Sequence, residues 1–304
     1  MSVNTRSAPA SVGFLGTDTP ATQRGSTVAF ADKLRELGWT EDRAVIRYWW
    51  AEGQPDRFAT LASECVHAPV DVIVTAGTQA VTMAMQSTSA IPIVFAQAED
   101  PVADGLVANL ARPGGNVTGV SLGRKDICRR LLETLTDILP SFRRLAILVN
   151  GNSPAALLEA GELQVVARLL GIDIDLLDVR VEDAIIPTLE AHYRGIDALY
   201  VTSDQLTWGN RDQVLTFALI SSLPTVFRRR GFVAAGGLLA CGPNYQKQFE
   251  RAAEFVDRIL RGAKPAELPV QRSQEVSLVV NRKTAASLRL ELSSLLSMTD
   301  DIIE

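Results

Sequence analysis

Short apolar runs rich in β-branched residues alternate along this chain with longer stretches in which apolar residues recur every three or four positions. The first kind reads as strands buried on both faces, the second as helices with one face on a core. Ser11–Gly16, Ala44–Trp50, Val70–Thr75 and Pro92–Phe95 are of the first kind. Between them lie helical patterns at Thr27–Gly38, Phe58–His67 and Thr78–Ser89; in the first, Phe30, Leu34 and Leu37 share a face and Gly38 is the stop. Pro101 is expected to open a further short helix, at a position where its missing N–H costs nothing, and Arg112–Gly115 to stop it before Asn116–Gly119 sets off in a new direction.

After Gly123 the pattern begins again. Helices are predicted at Lys125–Leu139, Pro154–Leu170, Ala184–Tyr193 and Asp212–Ser222, with strands at Arg144–Val149, Ile172–Leu177, Ala198–Val201 and Thr225–Phe227. Gly236–Gly242 reads as one more strand, Tyr245–Arg261 as a long helix, Pro265–Pro269 as a linker, Val276–Val280 as a late strand and Thr284–Leu288 as the start of a last short helix. Residues 1–10 read as a frayed tail. The alternation predicts an α/β fold: two doubly wound parallel-sheet lobes with right-handed crossovers, joined near residues 120–124 and facing each other across a cleft.

In open parallel sheets ligands bind beyond the carboxyl ends of the strands. The first half places Thr17, Asp18, Thr78, Gln79 and Gln97 there, and the second half Asn150, Asn152, Ser203 and Asp204. Each alone reads as turn or cap chemistry. Together they suit a zwitterion: hydroxyls and helix N-termini of the first half, above all at Gly77-Thr78, would hold a carboxylate, and Asp204 an ammonium. Closure that removes water would strengthen each such bond. The aromatics at these ends are Phe14, Phe95, Trp208 and Phe227; Phe14 and Phe95 read as core, and Trp208, in an expected loop four residues past Asp204, is best placed to stack on an apolar group.

Composition narrows the function. The 304 residues suffice for two domains, 47% are apolar, and a net charge of −5 leaves no footprint for nucleic acid. The tight basic cluster Arg228–Arg230 reads as a solvated helix start. Cys65, Cys128 and Cys241 have neither metal nor redox spacing and read as small buried hydrophobes, though one pair would be free to bridge in an oxidising compartment. His67 and His192 fall at helix ends and read as surface caps. There is no HExxH or P-loop, and Gly13-Phe-Leu-Gly16 is too little for a dinucleotide fingerprint. The chain is therefore expected to be no enzyme and to carry no cofactor or metal. No apolar run approaches the ~20 residues of a membrane span, and the opening MSVNTRSAPAS lacks the apolar core of a secretion signal.

Phe95, Asp100-Pro101, Gly105-Leu-Val107 and the run Leu110-Ala-Arg-Pro-Gly-Gly-Asn-Val-Thr-Gly119 resemble the signature of the substrate-binding proteins of ABC transporters with the type I periplasmic-binding-protein fold, in the branch linked to tryptophan and tyrosine uptake. The similarity runs from about Val12 to Ala286. It implies a hinge crossed three times, with later crossings near 242–246 and 270–276, and lobes of 11–122 plus approximately 245–270 and 123–244 plus approximately 271–304. It also implies a monomer, periplasmic or lipid-anchored outside the cytoplasm with its leader absent from this chain. Such a protein captures a small amino-acid-like solute by hinge closure and hands it to an ABC permease. Relatives often carry Ser-Tyr-Gly-Pro where this chain has Ala240-Cys241-Gly242-Pro243, a loss of two hydroxyls near the expected site. Two other classes share the fold: the effector domain of a transcription regulator, which needs a DNA-binding head before Val12, and a doubly wound small-molecule enzyme.

Overall fold

The computed structural model describes residues 8–98, 100–273, 276–292, 295 and 299–304. Most of the expected tail, Glu99, and residues 274–275 of the expected last crossing lie outside them. The chain falls into two compact units, Met1–Gly123 with Asn244–Glu275 and Arg124–Pro243 with Val276–Glu304. Among the described residues no helix is long and apolar enough to cross a membrane.

The sheet of the first unit is built from β1 (Ala10–Gly16), β2 (Ala44–Trp50), β3 (Val72–Ala76), β4 (Ile93–Ala98), β5 (Val117–Ser121) and β11 (Gln271–Arg272). Their order is β11-β5-β4-β3-β1-β2, and every pairing is parallel. Successive side chains leave opposite faces of a strand, so each apolar run feeds two cores. Phe14, Val74 and Val94 meet Phe30 and Leu34 of α1 (Arg24–Glu36) and Phe249, Ala253 and Val256 of α10 (Tyr245–Leu260). Leu15, Ile73, Ile93 and Phe95 meet Leu61 of α2 (Phe58–His67) and Ala80, Val81 and Ala84 of α3 (Thr78–Ser87).

The expected helix after Pro101 does not form. Residues 101–105 make turns instead: the Ala103 N–H donates to Asp100 Oδ1 at 3.1 Å, and the Leu106 and Val107 N–H groups both fold back to the Pro101 carbonyl at 2.9 and 3.0 Å. Gly105, at φ +70°, turns the chain out before a second helical turn.

The run Asn116–Gly119 is a clasp. Asn116 Nδ2 donates to the carbonyls of Thr88 and Ile91 at 3.1 and 2.8 Å, closing the turn ahead of β4. Val117 is core, and the buried Thr118 hydroxyl donates to the Leu268 carbonyl at 2.7 Å. Gly119 sits opposite Phe95 in the ladder, where an added Cβ would lie 2.0 Å from the Phe95 carbonyl oxygen.

The second unit contains β6 (Arg144–Asn150), β7 (Asp173–Val179), β8 (Ala198–Val201), β9 (Thr225–Phe227), β10 (Leu239–Pro243), β12 (Val276–Asn281) and β13 (Asp301–Ile303), in the order β13-β12-β10-β9-β8-β6-β7. Here the all-parallel expectation is corrected: β12 runs antiparallel to β10. The chain leaves at Pro243 and re-enters at Val276, which pair directly, so the returning strand has to run backward. One core sets Leu148, Leu199 and Val201 against Ile185 and Leu189 of α6 (Ile185–His192), Val214 and Ala218 of α8 (Arg211–Ile220) and Phe232 of α9 (Arg230–Ala234). Helix α4 (Arg124–Ile138) packs against β10 and α5 (Pro154–Leu169), and α5 against β6.

Gly119→Ala is expected to cost about 3 kcal/mol or more, because backbone rather than a movable side chain blocks the methyl group. Gly115→Ala, with open space at its Cβ, should change stability by less than about 1 kcal/mol. Urea unfolding of both variants checks the contrast.

Candidate functional site

At the carboxyl end of the first sheet, Thr17 and Asp18 follow β1, both half-buried. The Asp18 N–H donates to Gln23 Oε1 at 3.1 Å, its Oδ1 accepts from the Thr19 N–H at 2.8 Å, and the Thr17 carbonyl accepts from Gly53 N–H at 3.1 Å. The β3–α3 turn places Gly77 at φ +83° as the helix cap, with no side-chain cap bond. The Gly77 N–H donates to the Gln97 carbonyl at 2.8 Å, which brings β4 to the same place. Thr78, the first helical residue, gives its hydroxyl proton to Asp104 Oδ2 at 2.7 Å, and Gln79 is exposed. The start of α3, expected to await a solute carboxylate, therefore already faces a carboxylate of the chain.

At the carboxyl end of the second sheet the local chemistry converges on Asp204, the N-cap of α7 (Gln205–Gly209). Its Oδ1 accepts from the Leu206 and Thr207 N–H groups at 2.7 and 3.2 Å and from Asn150 Nδ2 at 3.3 Å. The Asp204 N–H donates to Thr207 Oγ1 at 3.3 Å, completing a capping box. Among the described residues Oδ2 meets only a long contact from Thr202 Oγ1, 3.4 Å, and keeps lone pairs for a cation. Asn150 Oδ1 accepts from the Asn152 N–H at 3.0 Å; Asn152 itself is exposed and reaches the Arg180 carbonyl at 3.3 Å.

The aromatics need two corrections. Trp208 lies in α7, not in a loop, because the capping box starts a helix there. It is 42% exposed, stands edge-on to Phe232 at 5.0 Å, and carries the Arg211 guanidinium 4.5 Å from its ring centre. Phe227, a candidate ligand contact, is fully buried and stacks on Phe232 at 4.7 Å, so its ring belongs to the core. Phe14 and Phe95 are core residues too.

Sequence reading passed over Glu159. It lies on the buried face of α5 with Ala156, Ala160 and Leu163, a carboxylate on an apolar stripe, and that misplaced polarity is the signal that could have found it. Its Oε1 accepts from Tyr200 Oη at 2.5 Å. Burial raises its pKa, opposed by the Tyr200 bond, by Arg228, by the Ser203 N–H and by Arg229. Burial first, then the Glu159 charge, pushes the Tyr200 phenol well above its ordinary value, so Tyr200 stays neutral and donates. The Ser203 hydroxyl oxygen is buried with no partner.

The remaining reactive side chains have plain surroundings. His67 and His192 set Nδ1 on the carbonyls of Ser63 and Thr188, at 2.7 and 2.8 Å, as surface caps do. Burial pushes the Cys65 and Cys241 thiols up to about 12; Cys128 is only half-buried, and all three are free thiols. Cys241 points its sulfur at the Ile127 carbonyl, 3.8 Å away. Of the basic cluster, Arg230 pairs with Asp301 at 2.6 Å, and Arg229 is exposed. Among the described residues no group of three His, Cys, Asp or Glu could hold a metal.

Two parallel-dominated sheets, one in each compact unit, define a protein of the α/β class, and comparison with known proteins says which. The model of the ABC transporter substrate binding protein family matches residues 21–301, and the chain belongs to that family. A tyrosine-binding protein of Clostridioides difficile is 26% identical over 264 residues, covering 86% of this chain and 76% of that protein. Among solved structures, a substrate-binding protein with adhesive properties from Clostridium difficile, in a ligand-free, open structure, superposes with TM-score 0.87 at 23% identity, covering 97% of this chain and 99% of that one. An ABC domain from Streptococcus pneumoniae in complex with L-Trp gives 0.77 at 24% identity, covering 97% and 100%. A glucose-galactose binding protein from Geobacillus stearothermophilus still gives 0.65 at 15% identity, covering 90% and 97%. The family favours the transport reading over the regulator, and its members are defined by binding a substrate.

Glu159→Gln probes the buried carboxyl group. A native carboxyl group that holds its proton more tightly than the unfolded one stabilises the fold below the ordinary glutamate value, and that contribution is lost as pH rises through the native value. Urea unfolding at about pH 4.5 and about pH 7.5 should show the wild type losing stability relative to Glu159→Gln on going to the higher pH.

Proposed function

We propose that this chain is the extracytoplasmic solute-binding component of an ABC importer, that its solute is a small amino acid with aromatic ones as first candidates, and that an ABC permease receives it. The observation that carries the reading is the family match over residues 21–301, joined by a relative described as tyrosine-binding. The geometry adds a chemical reason. Asp204 spends one oxygen on holding α7 and keeps the other for a cation, which is what an amino-acid ammonium needs. Beside it, on the same short helix, the 42% exposed Trp208 ring offers an apolar surface stiffened by Phe232.

The first unit contributes differently. Its strand ends offer Thr17, Gln79, Gln97 and backbone N–H groups to a carboxylate, while Asp104 at the start of α3 draws Thr78 to itself. An amino acid carries both charges, a simple acid only one and a neutral sugar neither. Binding needs no covalent step.

Asp204→Asn removes the charge and keeps a side-chain oxygen for the helix cap. In isothermal titration with L-tyrosine, L-tryptophan and L-phenylalanine it should lose about 2 kcal/mol or more of binding, about 30-fold, with little change in melting temperature. Asp204→Ala should lose both affinity and part of the cap stability, about 1 kcal/mol. Wild-type affinity in Asp204→Asn would remove Asp204 from the site.

A further inference from the structure

Helix α5 is apolar on both sides. Its inner face buries Ala156, Ala160, Leu163 and Val166 against the second sheet. A helix with one face on a core ordinarily turns a polar face to water. The outer face of α5 instead carries Leu157, Leu158, Gly161, Val165 and Leu169. All four apolar side chains are exposed, Leu169 by 71%. The charged Glu162 and Arg168 flank this stripe, one on each side.

Gly161 has no reason within the chain. Glycine inside a helix costs stability, and a Cβ added there would meet nothing within 4 Å beyond its own turns of helix. It leaves the middle of the outer face flat, so that a second helix can come close. The edge strand β7 extends the surface. Leu177 and Val179 enter the core with α6 and α8, so Leu176 leaves the opposite face, the one α5 packs on, and is exposed there.

We propose that this face is the contact of a symmetric dimer of the chain. Two observations select a second copy as the occupant. The first is area. Leu157, Leu158, Val165, Leu169 and Leu176 together leave on the order of 400 Å² of apolar surface in water, at the upper end of what a monomer keeps contiguous. One side of a standard interface buries about 800 Å², and about 65% of a homodimer contact is apolar, so the patch comes close to what a stable dimer needs. The second is self-complementarity. Leu158, Val165 and Leu169 lie on one line along the helix, about 16 Å long, with a leucine at each end. Two copies run antiparallel set Leu158 of each against Leu169 of the other, with Gly161 and Val165 near the two-fold axis. Such a contact closes on itself and leaves no open chain of copies. No residue named for the solute takes part, so the dimer stands or falls independently of the solute reading.

Sedimentation equilibrium of the 32.9 kDa chain, from about 2 to about 100 µM, tests it. The wild type should show a monomer–dimer equilibrium with dimer prevailing at the upper end. Leu158→Lys and Leu169→Glu, both at exposed positions, should each weaken association at least tenfold and leave the far-ultraviolet circular dichroism of the wild type unchanged. Mixed together, the two variants should recover a dimer, since antiparallel pairing sets the new ammonium against the new carboxylate and leaves the remaining Leu169 facing the remaining Leu158. A wild type that is monomeric throughout overturns the proposal and turns the search for an occupant to a different protein, such as a permease. A dimer that both variants retain lies on another surface and overturns it as well. A mixture that stays monomeric while the wild type dimerises refutes the antiparallel pairing.

Discussion

Parallel pairing sends every strand of a sheet out at the same end, and the polar chemistry of this protein follows from that constraint. Strands buried on both faces carry mostly apolar side chains along their length, and the few hydroxyls among them, such as Thr118, are spent on neighbouring carbonyls, so most hydroxyls, amides and carboxylates gather where the strands stop. Close backbone approach makes the stacking of strands possible. At Gly119 the β5 backbone comes so near the Phe95 carbonyl that no side chain fits, and Asn116 and Thr118 on either side of Val117 spend their polar atoms on neighbouring carbonyls. The stretch that most resembles the family is therefore a structural clasp. It joins β5 to β4 in parallel register.

The loops at the strand ends hold few idle groups. Thr78 serves Asp104, Asn150 serves Asp204, and Asp204 serves α7. Such bonds keep these side chains from wandering. The capping box illustrates the economy: three donors on one oxygen of Asp204 lock the carboxylate in place, and the second oxygen stays open to a cation. A preorganised acceptor loses less freedom on binding than a mobile one.

The fold was legible because its signals are local. Alternating apolar runs and three-four periodicity located strands and helices in both units, and glycine stops marked their ends. Three readings failed where a nonlocal or short-range competitor won. Pro101 promised a helix, but Asp100 and Gly105 close the chain into turns within one helical turn of it. Trp208 reads as loop because a five-residue helix has no periodicity; the Asp204–Thr207 spacing is the local clue to its helix. The direction of β12 depends on where the chain re-enters the second unit, which no window of residues contains. At the site, single polar residues at strand ends could be named but not ranked, since a cap and a ligand contact use the same residue types. Phe227 looked like its neighbours in sequence and turned out to be core. Glu159 was hidden inside a helix whose pattern otherwise reads as ordinary packing.

The central claim is that the solute is recognised by both of its charges, and a thermal-shift comparison of three molecules tests it most directly. L-tyrosine, tyramine without the carboxylate, and 3-(4-hydroxyphenyl)propionate without the ammonium differ only in those groups. On protein shown by mass spectrometry to be free of copurified solute, L-tyrosine at about 100 times its Kd should stabilise by about 2.7 kcal/mol, a shift on the order of 5 °C for a chain of this size, and the other two should give almost none at the same concentration. Equal shifts from all three, or a shift from the carboxylate alone, would contradict the account.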